Sequence, residues 1–274
     1  VKMYFTKMHG CGNDFIVIND LDNNFNSLNE LAPKLCHRNF GIGADGILCV
    51  KKSSVGDIKM EIINSDGSYA AMCGNGIRCF AKYVWEKDIV KKDKINIETG
   101  DGIKIANLNI NKNKVDTVTI NMGSPEFHPD KIPTVSADKI IDKTINIGQK
   151  NYKITSLLMG VPHTVVFGKL KDFNVEEGKL IEKHNIFPKG TNVNFVEVVS
   201  REEIKVMTWE RGAGATMACG TGCSASVVAG RELTLLDNKV KVHVPGGVLQ
   251  IELEDNKVFM TGSAEISFEG VCEV

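Results

Sequence analysis

Along most of this chain apolar and polar residues alternate with a period of two, as in a half-buried strand. At four places the spacing lengthens to that of a helix. Residues 4–19 read as β-structure with a Gly10-Cys11-Gly12-Asn13-Asp14 turn inside it. A short helix is predicted over 28–37, with Leu28, Leu31 and Leu35 on one face and Ser27 as its N-cap. Strands are expected at 47–50 and 58–63. A second helix is expected over 77–86, with Ile77, Phe80, Ala81 and Val84 facing inward. Alternating segments follow at 94–99, 102–108 and 117–121.

Gly123-Ser124-Pro125, with Pro129 and Pro133 beyond, breaks the pattern and marks a boundary. After it the order of elements repeats. A strand at 152–159 leads to a Gly160-Val161-Pro162-His163 turn and a second strand at 164–167. A helix over 175–183 precedes strands at 193–199 and 204–209, a helix from 222 to 231, and strands at 240–244, 248–253 and 258–260. Two short passages repeat almost literally. Met72-Cys73-Gly74-Asn75-Gly76-Ile77-Arg78-Cys79 is answered by Ala218-Cys219-Gly220-Thr221-Gly222-Cys223-Ser224-Ala225. Gly10 lies 63 residues before Cys73, and Gly160 lies 59 before Cys219. Matching order and spacing imply an internal duplication. We therefore expect an N-terminal domain of 1–121 plus 263–274, carrying Cys73, and a C-terminal domain of 122–262, carrying Cys219.

Each repeated passage is a glycine-rich turn that opens a helix. Such a turn leaves backbone N–H groups outside the helical ladder, at the positive end of the helix dipole. It can bind a carboxylate, and it favours thiolate over thiol in an adjacent cysteine. Two such sites, if they face one another, suit the inversion of a stereocentre. One sulfur removes the α-proton and the other delivers a proton to the opposite face.

Composition narrows the alternatives. The 274 residues are 42% hydrophobic and 24% charged with a net charge of −1, which offers no attraction to nucleic acid or an anionic membrane. No apolar run nears the roughly 20 residues of a spanning helix, and no signal-peptide pattern opens the chain, so a cytoplasmic protein is expected. Reduced thiols are then expected for all eight cysteines. Cys11, Cys36, Cys49 and Cys272, with Cys79 and Cys223, read as small buried hydrophobes. Zinc is disfavoured, because Cys73 and Cys79 have five residues between them and Cys219 and Cys223 have three, where one shared site would be more regular. Gly41-Ile42-Gly43-Ala44-Asp45-Gly46 fits a dinucleotide fingerprint in letters only. A helix precedes it and a strand follows, the reverse of what that motif needs.

At these residues the chain resembles the diaminopimelate epimerases. The markers are Lys7-Met8-His9-Gly10-Cys11-Gly12-Asn13-Asp14-Phe15, the 41–46 motif, Asn64-Ser65-Asp66-Gly67-Ser68, both cysteine turns, Glu210-Arg211-Gly212-Ala213-Gly214, Pro245-Gly246-Gly247 and Met260-Thr261-Gly262. The resemblance implies an α/β (α+β) fold of two pseudo-symmetric barrel-like domains. Each would be a mostly antiparallel sheet wrapped around a central helix, with the active site in the cleft between them. It further implies a cofactor-independent isomerase, without metal, that converts LL-diaminopimelate to the meso isomer in lysine and peptidoglycan precursor synthesis. Its partners would be a small amino-acid substrate and a second copy of the chain in a homodimer. By position, Cys73 and Cys219 would be the acid–base pair, supported by His163 and Glu210. The N–H groups of Gly74, Asn75, Gly220 and Thr221 would hold the α-carboxylate, while Asn13, Asn64, Asn192, Glu210 and Arg211 would meet the rest of the substrate. Arg211 suits a distal carboxylate through two parallel bonds, and Asn oxygens suit an ammonium.

The chain departs from that pattern at Val161, where the family has Asn, at Ala215, where many members have Glu, and at Gly46, where some have Gln. One lost bond to a charged group costs about 1.5–3 kcal/mol. A related two-cysteine racemase for another amino acid is therefore the alternative expectation.

Overall fold

The computed structural model describes residues 2–25 and 27–274. The chain forms two compact units, one running to Ile120 and resuming over Thr261–Val274, the other spanning Asn121–Met260. It is a mixed α+β protein made mostly of strands. The first unit contains β1 (Lys2–Gly10), β2 (Asn13–Asn19), α1 (Leu28–Leu35), β3 (Gly46–Lys51), β4 (Ile58–Asn64) and β5 (Tyr69–Ala70). These are followed by α2 (Gly74–Glu86), β6 (Lys94–Thr99), β7 (Gly102–Asn111) and β8 (Lys114–Gly123). The second contains β9 (Lys143–Ile147), β10 (Lys150–Met159), β11 (Val161–Phe167), α3 (Gly178–Glu182), β12 (Asn192–Ser200), β13 (Glu203–Glu210) and β14 (Gly214–Thr216). Then come α4 (Gly220–Glu232), β15 (Lys239–Val244), β16 (Gly247–Glu254) and β17 (Lys257–Gly262), while β18 (Glu265–Glu273) returns to the first unit.

The strand pairings of the two units correspond one to one. β1 pairs antiparallel with β2, β2 parallel with β3, β3 antiparallel with β4, β4 antiparallel with β5 and parallel with β6. In the same sequence β10 pairs antiparallel with β11, β11 parallel with β12, β12 antiparallel with β13, β13 antiparallel with β14 and parallel with β15. A further antiparallel strand pairs with the first strand of each set, β18 along most of β1 and β9 on the first half of β10. The last strand of the chain thus does for one unit what a local strand does for the other.

Each unit is organised around one long helix. α2 packs on β1, β2, β3, β4 and β7, and Ile77, Cys79, Phe80, Ala81 and Val84 are fully buried. α4 packs on β10, β11, β12, β13 and β16. A helix buried on nearly every side loses the one-sided stripe of a surface helix, and α4 meets this with small residues. A Cβ at Gly230 would fall 2.4 Å from Leu236 Cδ1, so only glycine lets that turn close.

Several details differ from the sequence expectations. Ser27 holds the N-cap position of α1, but its side chain makes no capping bond. The turn before His163 is Gly160 alone, with φ of 72°, so Val161 and His163 already belong to β11. The helix expected over 175–183 begins as a 3-10 turn at Val175–Glu177, closed by an Asn174–Glu177 capping box, and becomes α3 only at Gly178. Gly178 lies against Trp209, where a Cβ would stand 2.4 Å from the Trp209 Cβ. β9 and β18 were not expected. β18 leaves Ile266, Phe268 and Val271 exposed and so lacks the half-buried alternation that marks a strand. No helix among the described residues is long and apolar enough to cross a membrane.

Phe80 anchors α2 at the centre of its sheet. Phe80→Ala is expected to lower stability by about 3–5 kcal/mol, read as a shifted urea midpoint with an unchanged slope.

Candidate active site

Both cysteines of the repeated passages occupy the same local position. Cys73 is the N-cap of α2, in an extended conformation, and its sulfur accepts a hydrogen bond from Gly76 N at 3.4 Å. Cys219 is the N-cap of α4, also extended, and its sulfur accepts from Gly222 N at 3.3 Å. The sulfur stands where Ser, Thr, Asp or Asn usually caps a helix. The cysteine carbonyls take the next N–H, from Ile77 and Cys223, at 2.9 Å each. This leaves the N–H groups of residues 74, 75, 220 and 221 outside the helical ladders and beside a sulfur.

In the first unit Asn13 lies against this cap. Its Oδ1 accepts from Cys73 Sγ at 3.5 Å and from Asn75 Nδ2 at 3.3 Å. Its Nδ2 donates to Asp45 Oδ2 at 2.7 Å, which fixes which way the amide points. Asp45 is held in turn by Arg38 Nη2 at 2.9 Å and by Asp14 N at 3.1 Å. Arg38 also grips Asp14 through two bonds, and Lys7 bonds to both Asp14 and Gly43 O. Burial opposes ionisation of Asp14, but the bonds from Arg38 and Lys7 win and hold its carboxyl well below the usual range. The 41–46 motif is therefore a support for Asn13. Its N–H groups at Gly41, Ile42, Gly43 and Ala44 are bonded to the carbonyls of His37, Leu35, Leu35 and Cys36 at the end of α1, so none is left to cradle a phosphate. Asn64 ends β4, opposite Gly46, with its Nδ2 donating to Ser68 Oγ at 2.9 Å.

In the second unit the register places His163 opposite Asn192. His163 is fully buried, and burial, with Arg211 adding to it, pushes its ring down to about 3. The ring is neutral at pH 7. Asn194 Nδ2 lies 3.1 Å from His163 Nδ1, while Asn194 Oδ1 accepts from Thr208 Oγ1 at 3.0 Å. On that network Nδ1 is the acceptor and Nε2 carries the proton. Nε2 is buried with no hydrogen-bond partner among the described residues. Asn194 also touches the helix start, because a Cβ on Gly222 would fall 2.4 Å from its Oδ1. Asn192 Oδ1 accepts from Arg211 N at 2.8 Å, and Arg211 Nη1 donates to Lys189 O at 2.8 Å. Glu210 accepts from Thr216 Oγ1 at 2.7 Å, and its carboxyl is raised by burial, offset in part by bonds from Thr216 and Cys219. Thr221 Oγ1 lies 3.4 Å from Cys219 Sγ.

The structure thus groups Cys73, Gly74, Asn75 and Asn13 in one unit, and Cys219, Thr221, Glu210 and Thr216 in the other. His163, Asn192 and Arg211 form a second cluster of the latter. Asn64 sits at its strand end without a bond to Asn13 or Cys73. Val161, 38% exposed, presents a methyl surface rather than an amide. Cys79 and Cys223 are fully buried within their helices, and burial raises the Cys79 thiol to about 12. Cys36 and Cys49 are buried and raised to about 11 and 12. Cys11 is buried, Cys272 half-buried, and desolvation raises both. Sequence reasoning missed Arg38, Asp45 and Thr216 as supports, although Asp45 stood inside the quoted 41–46 motif.

The profile of the family described as Diaminopimelate epimerase matches residues 5–128 and 155–267. A diaminopimelate epimerase of Clostridium perfringens is 56% identical over 269 residues, covering 98% of each chain. One of Caldanaerobacter subterraneus is 49% identical, covering 99% of this chain and all of the relative. Among solved structures, a hydroxyproline epimerase of Agrobacterium vitis superposes with a TM-score of 0.71 at 14% identity, covering 99% of this chain and 91% of the other. A PhzF-family protein of Bacillus anthracis gives 0.70 at 14%, with full coverage of both chains. These last two establish a shared fold.

Neutral burial of His163 has a consequence for stability. Its ring binds a proton near pH 6.5 when unfolded and only near 3 when folded, so the unfolded state holds more protons in that window. The group therefore takes stability away as the pH falls below 6.5, at about 1.4 kcal/mol per pH unit. Urea titrations between pH 7 and 5 should show this slope in the native protein and its loss in His163→Gln.

Proposed function

The chain belongs to the diaminopimelate epimerase family and is an isomerase, and on that premise we propose that it converts LL-diaminopimelate to the meso isomer by a two-base thiol mechanism. The observation that carries this reading is the identical seating of Cys73 and Cys219. Each sulfur caps a helix and takes an N–H bond from the third helical residue. An N–H bond and the helix dipole both favour thiolate, so either sulfur can serve as base.

In the forward reaction one thiolate takes the α-proton and becomes a thiol. The other thiol gives its proton to the opposite face of the same carbon and becomes a thiolate. No net proton is gained, and the reverse reaction exchanges the roles. Gly74, Asn75, Gly220 and Thr221 supply N–H donors for the α-carboxylate, whose charge must be stabilised as the carbanion forms. Glu210 accepts from Cys219 and sets that proton's direction. His163, neutral and with a proton on Nε2, brings a donor that a substrate oxygen can satisfy. Asn13 offers an oxygen whose aim Asp45 controls. Arg211 supplies a cation for the distal carboxylate, with Asn64 and Asn192 as amide partners for the distal end.

Val161 removes one amide contact from that distal end and is expected to raise KM rather than change the substrate, given the family match. The reaction uses side chains alone for proton transfer, without pyridoxal phosphate. It needs reduced sulfurs, which suits a cytoplasmic setting and a place in lysine and peptidoglycan precursor synthesis. A homodimer is part of the same reading, supported by Tyr4, Phe268 and Val271, which lie exposed on the paired strands β1 and β18.

Incubation with LL-diaminopimelate in D₂O should yield the meso isomer carrying deuterium at the inverted carbon. Exchange of a monocarboxylic amino acid alone would overturn the substrate assignment. Cys73→Ala and Cys219→Ala should each lower kcat by about 10²–10⁴-fold with an unchanged circular dichroism spectrum. A variant that turned over at the native rate would remove that cysteine from the mechanism.

A further inference from the structure

The two cysteine turns are built alike but are not charged alike. Five residues beyond each capping cysteine, a side chain reaches back to the carbonyl oxygen of the first helical residue. In α2 it is Arg78, whose Nη1 donates to Gly74 O at 3.0 Å. In α4 it is Ser224, whose Oγ donates to Gly220 O at 2.9 Å. A fixed cation in one unit is thus matched by a neutral hydroxyl in the other.

Arg78 is fully buried. Its Nε donates to Ser263 O at 3.2 Å, and its Nη2 donates to Asn75 Oδ1 at 3.0 Å and lies 3.7 Å from Cys11 Sγ. The end of β1 closes over it, since a Cβ at Gly10 would stand 3.0 Å from Nη2. An apolar side chain would fill that space without the cost of desolvating a charge. What the guanidinium adds is a positive charge beside the first turn of α2 and a fork that holds both Gly74 O and the Asn75 amide.

The strands carry a second asymmetry of the same sign. Ala70 and Thr216 each lie three residues before the capping cysteine, and they pair with Ile62 and Thr208. Two residues on from these partners stand Asn64 and Glu210, which are therefore counterparts. The first unit has a cation and a neutral amide where the second has a hydroxyl and a carboxyl group bonded to its cysteine.

We propose that Arg78 is the positioning residue that makes Cys73 the thiolate member of the pair, while Glu210 and Ser224 leave Cys219 as the thiol in the resting protein. The proposal rests on the acid–base reading of the two cysteines given above. A nearby cation stabilises a thiolate, and a carboxylate that accepts from S–H keeps the proton on sulfur. The pseudo-symmetric machine then starts from one defined protonation state and binds first the isomer whose α-proton faces the Cys73 sulfur.

Other titratable groups near these turns do not supply the same bias. Around α2 they are His9, Cys11, Asp14 and Asp45 from β1, β2 and the intervening loops, and Cys79 on the helix itself. Desolvation raises Cys11 despite Arg78, and Cys79 is raised to about 12, so both remain thiols near neutral pH. Asp14 and Asp45 are paired with Arg38. Around α4 they are Glu210, His163, Arg211 and Cys223; His163 is uncharged at neutral pH, and the Arg211 guanidinium is held away towards Lys189 O.

Site-resolved alkylation with iodoacetamide, read as peptide masses across a pH series on the full chain, tests this without any substrate. Cys73 is expected to reach half its maximal rate about one pH unit or more below Cys219. Coincident midpoints, or a lower one for Cys219, would overturn the proposal. Arg78→Met should raise the Cys73 midpoint by about one unit and leave that of Cys219 in place, whereas Arg78→Lys should keep most of the low value. If Arg78→Met does not fold, Glu210→Gln decides, because it should lower the Cys219 midpoint towards that of Cys73. An unmoved Cys219 then counts against the assignment. Failure of the D₂O exchange with diaminopimelate would remove the substrate assignment but leave the order of the two midpoints readable.

Discussion

A helix that begins inside a sheet must find partners for N–H groups that its own ladder cannot bond, and in this protein that need is met twice by a cysteine sulfur. The rest of each unit serves that arrangement. The strands around α2 and α4 bury the helices on most sides, which fixes where each helix starts. Glycines at the first and third positions beyond each cap let other groups come close, as where Asn194 Oδ1 occupies the space that a Gly222 side chain would fill. A sulfur held this way gains from the N–H bond and the dipole together, so the element that completes the fold also prepares the chemistry.

Support for the site is polar in both units but organised differently. In the first, charge runs from the buried Lys7 and the exposed Arg38 through Asp14 and Asp45 to the Asn13 amide, so an ion network sets the orientation of a group at the sulfur. In the second, buried uncharged groups do the orienting, with Thr208 fixing Asn194 and Asn194 fixing His163. Duplication copied the backbone, down to the parallel pairing after the second strand, and left the side chains free to diverge. The proposed inversion by two like acid–base groups tolerates that divergence, since it asks only that the sulfurs be equivalent in kind.

Much of the architecture was legible in the chain. Period-two alternation located most strands, and the repeated cysteine passages located the two central helices, each of which begins three residues or two residues earlier than the apolar pattern alone suggested. The reason is that the first turns are made of Gly, Asn and Thr, which carry no hydrophobic signal. The short strands β5 and β14, the edge strand β9 and the exposed β18 carry little alternation and were not read. The helix expected before β12 opens as a 3-10 turn and becomes α-helical only at Gly178, which packs closely on Trp209, a tertiary contact that the local pattern does not show.

The sequence by itself determined the duplication, the pair of thiols at helix starts and the family to which the chain belongs, because these are written in contiguous residues whose order is their meaning. It also exposed Val161 as a departure. Tertiary structure alone decided what each of those residues is next to. It placed Arg78 beneath one turn and Ser224 beneath the other, set Glu210 and Asn64 at corresponding positions, and left His163 buried, neutral and holding a proton that no described side chain accepts. Proton affinity depends on burial and on charges brought near by folding from distant parts of the chain. A local pattern can name the groups that move a proton, but only their assembled surroundings set which one holds it.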